Sequence, residues 1–209
     1  MKTLELFCGT KSFSKVAKEY GYETLTLDFD NTFNPDIAKD IMDFYIQDLN
    51  GYRPDIIWAS PPCQKFSVAS LGRNWNKEDM TPKNDDTKKA MQIVLKTVQI
   101  IKDLKPKYFY IENPRAMLRK IGLIPYDYST VTYCQYGFHY MKPTDIWSNN
   151  EEWLKVAKSC KNGMPCHESA PRGSATGTQG LKNPAERGKI PPDLIKEILN
   201  YSKEEDNNE

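Results

Sequence analysis

The sequence lacks long hydrophobic runs and has almost no net charge, and each absence excludes a class of protein. No stretch of about 18 apolar residues occurs, so no transmembrane helix and no membrane partner is predicted. Met1 leads directly into a strand-like pattern, which predicts that no signal peptide is present and that the protein is cytoplasmic. The net charge is +1, so any nucleic-acid binding must come from a local basic patch.

Cysteine and glycine usage narrow the possible compartments and ligand classes. The five cysteines are an odd number in a chain without a secretory signal, which argues against a disulfide framework and for a reducing compartment. The turn after the first predicted strand has one glycine, Gly9, and no glycine series that could cradle phosphates. A pyrophosphate dinucleotide is therefore disfavoured, and an adenosine compound without phosphates fits better. The length of 209 residues predicts a single domain.

The chain begins with a β-turn-α-β unit. Residues 3–7 and 24–28 are predicted strands, and the intervening helix has apolar residues at helical spacing from Phe13. Such a unit predicts a parallel sheet. The second strand ends at Asp28, where nucleotide-binding folds place an acid that binds ribose hydroxyls; alternatively, Asp28 simply ends the strand.

Cys63 lies just beyond a predicted buried strand at residues 56–59. Pro61 and Pro62 cannot continue a central ladder, so the chain must leave the sheet there. Ligand sites in open α/β sheets lie outside the carboxyl ends of strands, which is where a nucleophile would be useful. The alternative is that Cys63 is a small buried hydrophobe, as most free cysteines are. The rigid prolines favour the nucleophile.

A second polar site repeats this arrangement. A helix with one apolar face is predicted over residues 86–104, and a strand follows at residues 108–111. Glu112 and Asn113 come at the carboxyl end of that strand. Residues 68–85, between the two sites, show no periodicity and predict a mobile surface loop.

Seven segments, in order, resemble motifs of the C5-cytosine DNA methyltransferase family. The most specific are Ser60-Pro-Pro-Cys-Gln-Lys-Phe-Ser67, which matches the catalytic Pro-Cys-Gln motif, and Ile111-Glu-Asn-Pro114, which matches the Glu-Asn motif. The other matching segments are Leu6-Phe7-Cys8-Gly9, Leu27-Asp28-Phe29-Asp30, Asp40-Ile41, Tyr136-Gly137 and Ile190-Pro-Pro-Asp-Leu-Ile195. The resemblance covers most of the chain and is closest to small forms encoded by phages.

The resemblance implies a Rossmann-like S-adenosylmethionine-dependent methyltransferase fold: an α/β fold with a mostly parallel sheet and a small loop-rich C-terminal appendage. It implies methylation of C5 of a flipped cytosine in DNA, in the cytoplasm of a bacterium or a phage-infected host. Cytosine C5 is too weak a nucleophile until a thiolate adds at C6, and Cys63 would supply that thiolate. Glu112 would protonate or hydrogen-bond N3, and Asn113 would help to hold the loop. The residues implied to cradle the cofactor are Phe7, Gly9, Asp28, Phe29, Asp40, Ile41 and Pro62.

Two departures from the family pattern leave alternatives open. The family's Gln-x-Arg-x-Arg segment is Tyr140-Met-Lys-Pro-Thr144 here, so Lys142 replaces the first arginine at the catalytic site and Thr144 the second. This motivates a non-catalytic nucleic-acid-binding or regulatory homologue as an alternative. The large target-recognition domain is missing, which motivates a pyrimidine C5-modifying enzyme acting on single-stranded nucleic acid or a nucleotide, or a protein partner that supplies specificity. The residues predicted to contact DNA are Gln64, Ser67, Arg73, Arg115, Arg119 and Arg172.

The C-terminal quarter is rich in loops and holds a candidate metal site. Three thiolates and one imidazole could hold a structural zinc ion and clip this part of the chain in place. Those residues are Cys134, Cys160, Cys166 and His167. Their spacing is not a common zinc signature, and the alternative is four ordinary side chains. The predicted units are a methyltransferase core over 1–148, a loop-rich, nucleic-acid-facing insert over 149–189, a helix packing back over 190–202 and a disordered tail over 203–209.

Overall fold

A computed structural model describes residues 1–168, 181 and 183–203 and contains a seven-stranded mixed sheet. The strands are β1 (Lys2–Leu6), β2 (Glu23–Asp28), β3 (Ile37–Ala38), β4 (Ile56–Ala59), β5 (Tyr108–Pro114), β6 (Tyr128–Thr132) and β7 (Pro143–Ser148). Their order across the sheet is β3-β2-β1-β4-β5-β7-β6. The first five are parallel, and β7 runs antiparallel to both β5 and β6. The predicted mostly parallel α/β fold is confirmed.

Helices cover both faces of the sheet. They are α1 (Ser12–Glu19), α2 (Leu71–Asn74), α3 (Asp85–Leu104), α4 (Leu118–Ile121), α5 (Glu151–Val156), α6 (Pro184–Gly188) and α7 (Pro192–Tyr201). Short 3-10 helices occupy Asn31–Phe33, Ile41–Asp43, Ile46–Leu49, Val68–Ser70 and Tyr133–Tyr136. The apolar face of α3 packs in one core, whereas α1 and α7 pack together in the other. Strand β4 contributes alternate side chains to both cores, because successive side chains of a strand point to opposite faces.

Two local expectations are wrong in an instructive way. Strand β5 does not stop at Ile111 but continues through Pro114, because Glu112 and Asn113 pair with β7 after β4 has ended at Ala59. The loop predicted over residues 68–85 is partly regular, with a 3-10 helix and α2 at its start. Trp75 is buried in the core against Phe66, which anchors this stretch.

The strand order places a topological switch point between β1 and β4. From β1 the chain continues outward to β2, whereas β4 continues on the opposite side to β5. In such sheets the crevice beyond the carboxyl ends of the two central strands is the expected ligand site. The turn after β1 and the Cys63 loop after β4 both open onto this edge. Within the described residues, no helix combines the length and apolarity needed to cross a bilayer.

Candidate active site

The Cys63 loop is fixed on both sides of the thiol. Before it, Asn113 Nδ2 donates to the Pro61 carbonyl oxygen at 2.9 Å. After it, the Cys63 carbonyl oxygen accepts from the amides of Phe66 and Ser67 at 3.0 Å each. Phe66 is fully buried, so the loop is tied to the core immediately after the cysteine. The Cys63 side chain itself is half-buried, which suits a nucleophile that a substrate must reach.

The Cys63 thiol lies in surroundings that disfavour its ionised form. Burial raises the pKa of the Cys63 thiol first, and the negative charge of Glu112 raises it further. The ammonium of Lys142 opposes both effects by lowering the same pKa. Three of the four predicted catalytic side chains, those of Cys63, Glu112 and Lys142, come from separate parts of the chain and are therefore close enough to act on one another electrostatically.

Glu112 is held in a buried polar cluster. Its side chain is only 7% exposed, and the hydroxyl of Tyr133 donates to Oε1 at 3.1 Å. Lys142 Nζ lies 3.7 Å from the same oxygen and donates to the Arg187 carbonyl oxygen at 2.8 Å. Desolvation is costly for a carboxylate unless it is hydrogen-bonded or paired with a cation, and this cluster supplies one neutral hydrogen-bond donor and one nearby cation.

The β6–β7 hairpin brings that cluster together. Tyr133 follows the last residue of β6, and Lys142 directly precedes β7. Because β7 pairs with β5 beside Glu112, the hairpin places the side chains of Tyr133 and Lys142 next to the Glu112 carboxyl. Sequence reasoning missed Tyr133, which belongs to no motif. The only available signal was its place at a strand end.

The residues implied to hold the cofactor lie at the ends of β1 and β2. The Asp28 carboxylate is buried and accepts from the amides of Gly9 at 2.9 Å and Asp30 at 3.0 Å, which joins the two strand ends. The backbone of Gly9 has φ 44, and a Cβ added there would meet no atom within 4 Å. Phe29 is 72% exposed and offers an aromatic face beside this open turn.

The remaining predicted cofactor residues lie in two neighbouring segments. Ile41 is buried and begins a 3-10 helix that Asp40 caps by accepting from the Met42 amide at 2.9 Å. Pro62 is half-buried in the Cys63 loop. The exposed aromatic ring, the acid and the lack of a phosphate cradle together suit an adenosine compound without phosphates.

The predicted DNA-contacting residues fall into three groups. Gln64, Arg73 and Arg115 are exposed near the Cys63 loop, and Ser67 is half-buried in it. Arg119 is engaged within the protein: its guanidinium pairs with the fully buried carboxylate of Asp145. Arg172 lies outside the described residues.

The four candidate metal ligands converge from separate places in the chain. One ligand atom from each residue lies within 4.8 Å of all the others. The Sγ atom of Cys134 is 3.2 Å from that of Cys160 and 3.8 Å from that of Cys166, and His167 Nδ1 is 3.6 and 3.5 Å from the latter two. A tetrahedron with zinc–sulfur bonds of about 2.3 Å has edges of about 3.8 Å, so this donor set fits zinc.

Comparisons with known proteins agree with the geometry. A family model described as C-5 cytosine-specific DNA methylase matches residues 1–121. The chain is 30% identical to the "Probable DNA (cytosine-5)-methyltransferase" of Frog virus 3, an alignment that covers 95% of the chain and 99% of that protein. It is 28% identical to the "Type II methyltransferase M.FnuDI" of Fusobacterium nucleatum, with 57% of the chain covered but only 34% of that protein.

A solved structure shows the same fold. The Entamoeba histolytica methyltransferase EhMeth superposes with a TM-score of 0.52 at 15% identity, over 71% of this chain. The chain spans about half of that protein, 52%, so the likeness concerns the core fold alone.

Proposed function

Because the chain belongs to the C-5 cytosine-specific DNA methylase family, we propose that Cys63 and Glu112 catalyse methyl transfer from S-adenosylmethionine to C5 of a flipped cytosine in DNA. The observation that carries this proposal is the convergence of a presented thiol just beyond β4 and a buried acid within the neighbouring strand β5. Each residue alone has an ordinary explanation. Together they match the two tasks that the reaction requires.

The chemistry follows from those two side chains. The Cys63 thiolate forms a bond to C6 of the base while Glu112 gives a proton to N3, which leaves an enamine with a C4=C5 double bond whose π electrons make C5 nucleophilic. S-adenosylmethionine, when bound, supplies the electrophilic methyl group. After methylation, loss of the C5 proton to solvent breaks the Sγ–C6 bond, and N3 returns its proton to Glu112.

Proton placement couples the two residues. A proton on Glu112 removes the charge that raises the Cys63 pKa, and it also prepares the acid to protonate N3. Lys142 acts in the same direction, because its positive charge lowers the Cys63 pKa. The buried ammonium therefore keeps a catalytic role at the position where the family has arginine.

The decisive experiment traps the covalent adduct. In duplex DNA with fluorine in place of hydrogen at C5 of cytosine, no C5 proton can be lost, so the Sγ–C6 bond cannot break. The wild-type protein should therefore remain crosslinked to this DNA in the presence of S-adenosylmethionine. Cys63→Ala should give no crosslink. A crosslink of equal yield from Cys63→Ala would refute the assignment of the nucleophile.

The substrate form separates the remaining alternatives. Transfer of a labelled methyl group to duplex DNA supports the proposal. Transfer only to single-stranded DNA or to a nucleotide supports the alternative of a pyrimidine C5-modifying enzyme that acts on those substrates. A non-catalytic homologue would bind DNA without transfer, and the assembled Cys63 and Glu112 pair argues against it. Bisulfite sequencing of DNA treated with the purified protein alone should show a defined context; random methylation would indicate that a protein partner supplies specificity.

We further propose that Cys134, Cys160, Cys166 and His167 bind a structural zinc ion that clips the 149–189 insert beside the nucleic acid. Gln135 Nε2 lies 3.3 Å from Cys166 Sγ, as a donor that would support a thiolate ligand. The Nδ1 atom of His167 faces the thiols, so it is the nitrogen offered to a metal. The buried Nε2 atom has no hydrogen-bond partner within the described residues.

Metal analysis tests the zinc proposal directly. Purified wild-type protein should contain about one zinc ion per chain, and Cys160→Ser should lose most of it. Cys63→Ala is the matched control, since it removes a thiol outside the cluster and should keep the metal. Zinc-free wild-type protein after mild purification would overturn the proposal. The cytoplasm of a bacterium or an infected host, the location that we propose, would keep these thiols reduced.

A further inference from the structure

Tyr133 contacts the acid of the reaction centre, although no motif includes it. Its side chain is fully buried, and its hydroxyl donates to Glu112 Oε1 at 3.1 Å. Lys142 Nζ lies 3.4 Å from the same hydroxyl and 4.5 Å from the centre of the tyrosine ring. Tyr133 therefore touches both charged residues of the cluster.

The backbone fixes this tyrosine in place. The Tyr133 amide donates to the Met141 carbonyl oxygen at 2.7 Å, and Phe138 and Tyr140 flank its ring. The preceding residue, Thr132, is the last β6 residue paired with β7. The phenol hydroxyl thus has little freedom to turn away from Glu112.

Both polar contacts of the Glu112 carboxyl within the described residues are made to Oε1. A hydroxyl donor on Oε1 is satisfied whether the carboxyl is ionised or carries its proton on the other oxygen. Oε2 is then the carboxyl oxygen left to exchange a proton with the cytosine. The buried Thr144, which stands where the resemblance places a second arginine, directs its hydroxyl to the Lys142 carbonyl oxygen at 3.1 Å.

We propose that Tyr133 is a positioning residue that holds the Glu112 carboxyl through Oε1 and directs its exchangeable proton to Oε2. This inference rests on the proposed function, in which Glu112 serves N3 of the cytosine.

The test is a double-mutant cycle in the full-length protein. Tyr133→Phe should lower kcat about tenfold to a hundredfold, with the KM for S-adenosylmethionine unchanged, because one hydrogen bond to the acid is lost. In a Glu112→Gln background the same change should have little further effect on the residual single-turnover rate, measured with enzyme in excess over DNA. Tyr110→Phe is the matched control: it removes a buried β5 hydroxyl that bonds Ser202 at 3.0 Å, and its kcat should remain near that of wild type.

The outcomes separate this inference from the proposed function. If Glu112→Gln abolishes transfer while Tyr133→Phe behaves like Tyr110→Phe, the role of Tyr133 is refuted and the proposed function stands. If Glu112→Gln retains full activity, the role of Glu112 fails, and the inference about Tyr133 fails with it. Wild-type protein that transfers no labelled methyl group to DNA would refute the proposed function itself. Should Tyr133→Phe not fold, fluorotyrosine at position 133 keeps the shape and changes only the acidity of the hydroxyl. An unchanged kcat would then overturn the inference.

Discussion

The Arg119–Asp145 pair offers the sharpest test of how this structure uses its basic residues. The sequence pattern predicts that Arg119 contacts DNA, whereas its guanidinium is engaged inside the protein. Nε donates to Asp145 Oδ2 at 2.7 Å, NH2 donates to Thr130 Oγ1 at 2.6 Å, and the group lies 4.9 Å from the centre of the Tyr128 ring. We therefore expect Arg119→Met to destabilise the fold rather than to weaken DNA binding directly.

The magnitude follows from the burial of the partner. The Asp145 side chain is 0% exposed and that of Arg119 is 24% exposed, so the substitution leaves a buried carboxylate without its cation. Removing one partner of a buried ion pair costs about 3–5 kcal/mol. In a chain of this size each kcal/mol lowers Tm by about 2–4 °C, so the expected loss is about 6–20 °C.

The assay combines thermal unfolding with the salt dependence of DNA affinity. Arg115→Met is the matched control, because Arg115 is exposed and makes no ion pair within the described part of the chain. It should leave Tm almost unchanged and lower the slope of log K against log salt by about 0.9, the value for one phosphate contact. The double variant Arg119→Met with Asp145→Leu should recover much of the lost Tm, since no charge is left buried.

Two results would refute this reasoning. One is an Arg119→Met protein whose Tm lies within about 1 °C of wild type while its salt slope falls by about 0.9, which would show that Arg119 is a phosphate contact. The other is a double variant no more stable than the single one, which would show that the buried charge is not the cause of the instability.

Two further predictions follow from the buried acids. Glu112→Gln removes a charge that raises the Cys63 pKa, so alkylation of Cys63 by iodoacetamide at pH 8 should be about tenfold faster although methyl transfer is lost; unchanged or slower alkylation would contradict the coupling. Burial raises the pKa of Glu5 from 4.5 to about 7. The folded state then keeps a proton that the unfolded chain releases, so the free energy of unfolding should fall by about 3 kcal/mol between pH 4.5 and 7. Denaturant titrations at the two pH values should show this fall in the free energy of unfolding for wild type but not for Glu5→Gln. An equal fall in both proteins would contradict the prediction.

Much of the fold could be predicted because local rules dominate in it. The apolar run of β4 ends where Pro61 and Pro62 forbid a ladder, and the long helix α3 shows its apolar face in the sequence. Sequence reasoning ends β5 too early because its last residues gain partners only from β7. These partners lie 30 to 34 residues later in the chain, from the pair Pro114–Thr144 to the pair Glu112–Ile146. Long-range pairing of this kind leaves no local pattern.

The candidate site divides in the same way. Cys63 and Glu112 belong to short motifs whose chemistry can be recognised from residue types and strand ends alone. The engagement of Arg119 and the contact of Tyr133 with Glu112 could not be predicted in that way. The residue types of the four candidate metal ligands suggest a zinc site, but the distances among them could not be predicted. Each depends on where separate strands and loops meet, as when Cys134 and Cys160 approach to 3.2 Å.

The sequence by itself determined the α/β class and the family, and it supplied the nucleophile and the acid that we propose, because short motifs next to predicted strand ends carry that information. Only the tertiary structure decided which groups surround the acid, which arginine is engaged in an ion pair and how close the candidate metal ligands lie to one another. The physical reason is that hydrogen bonds, ion pairs and metal coordination act over a few ångströms in space, whatever the separation of their partners along the chain.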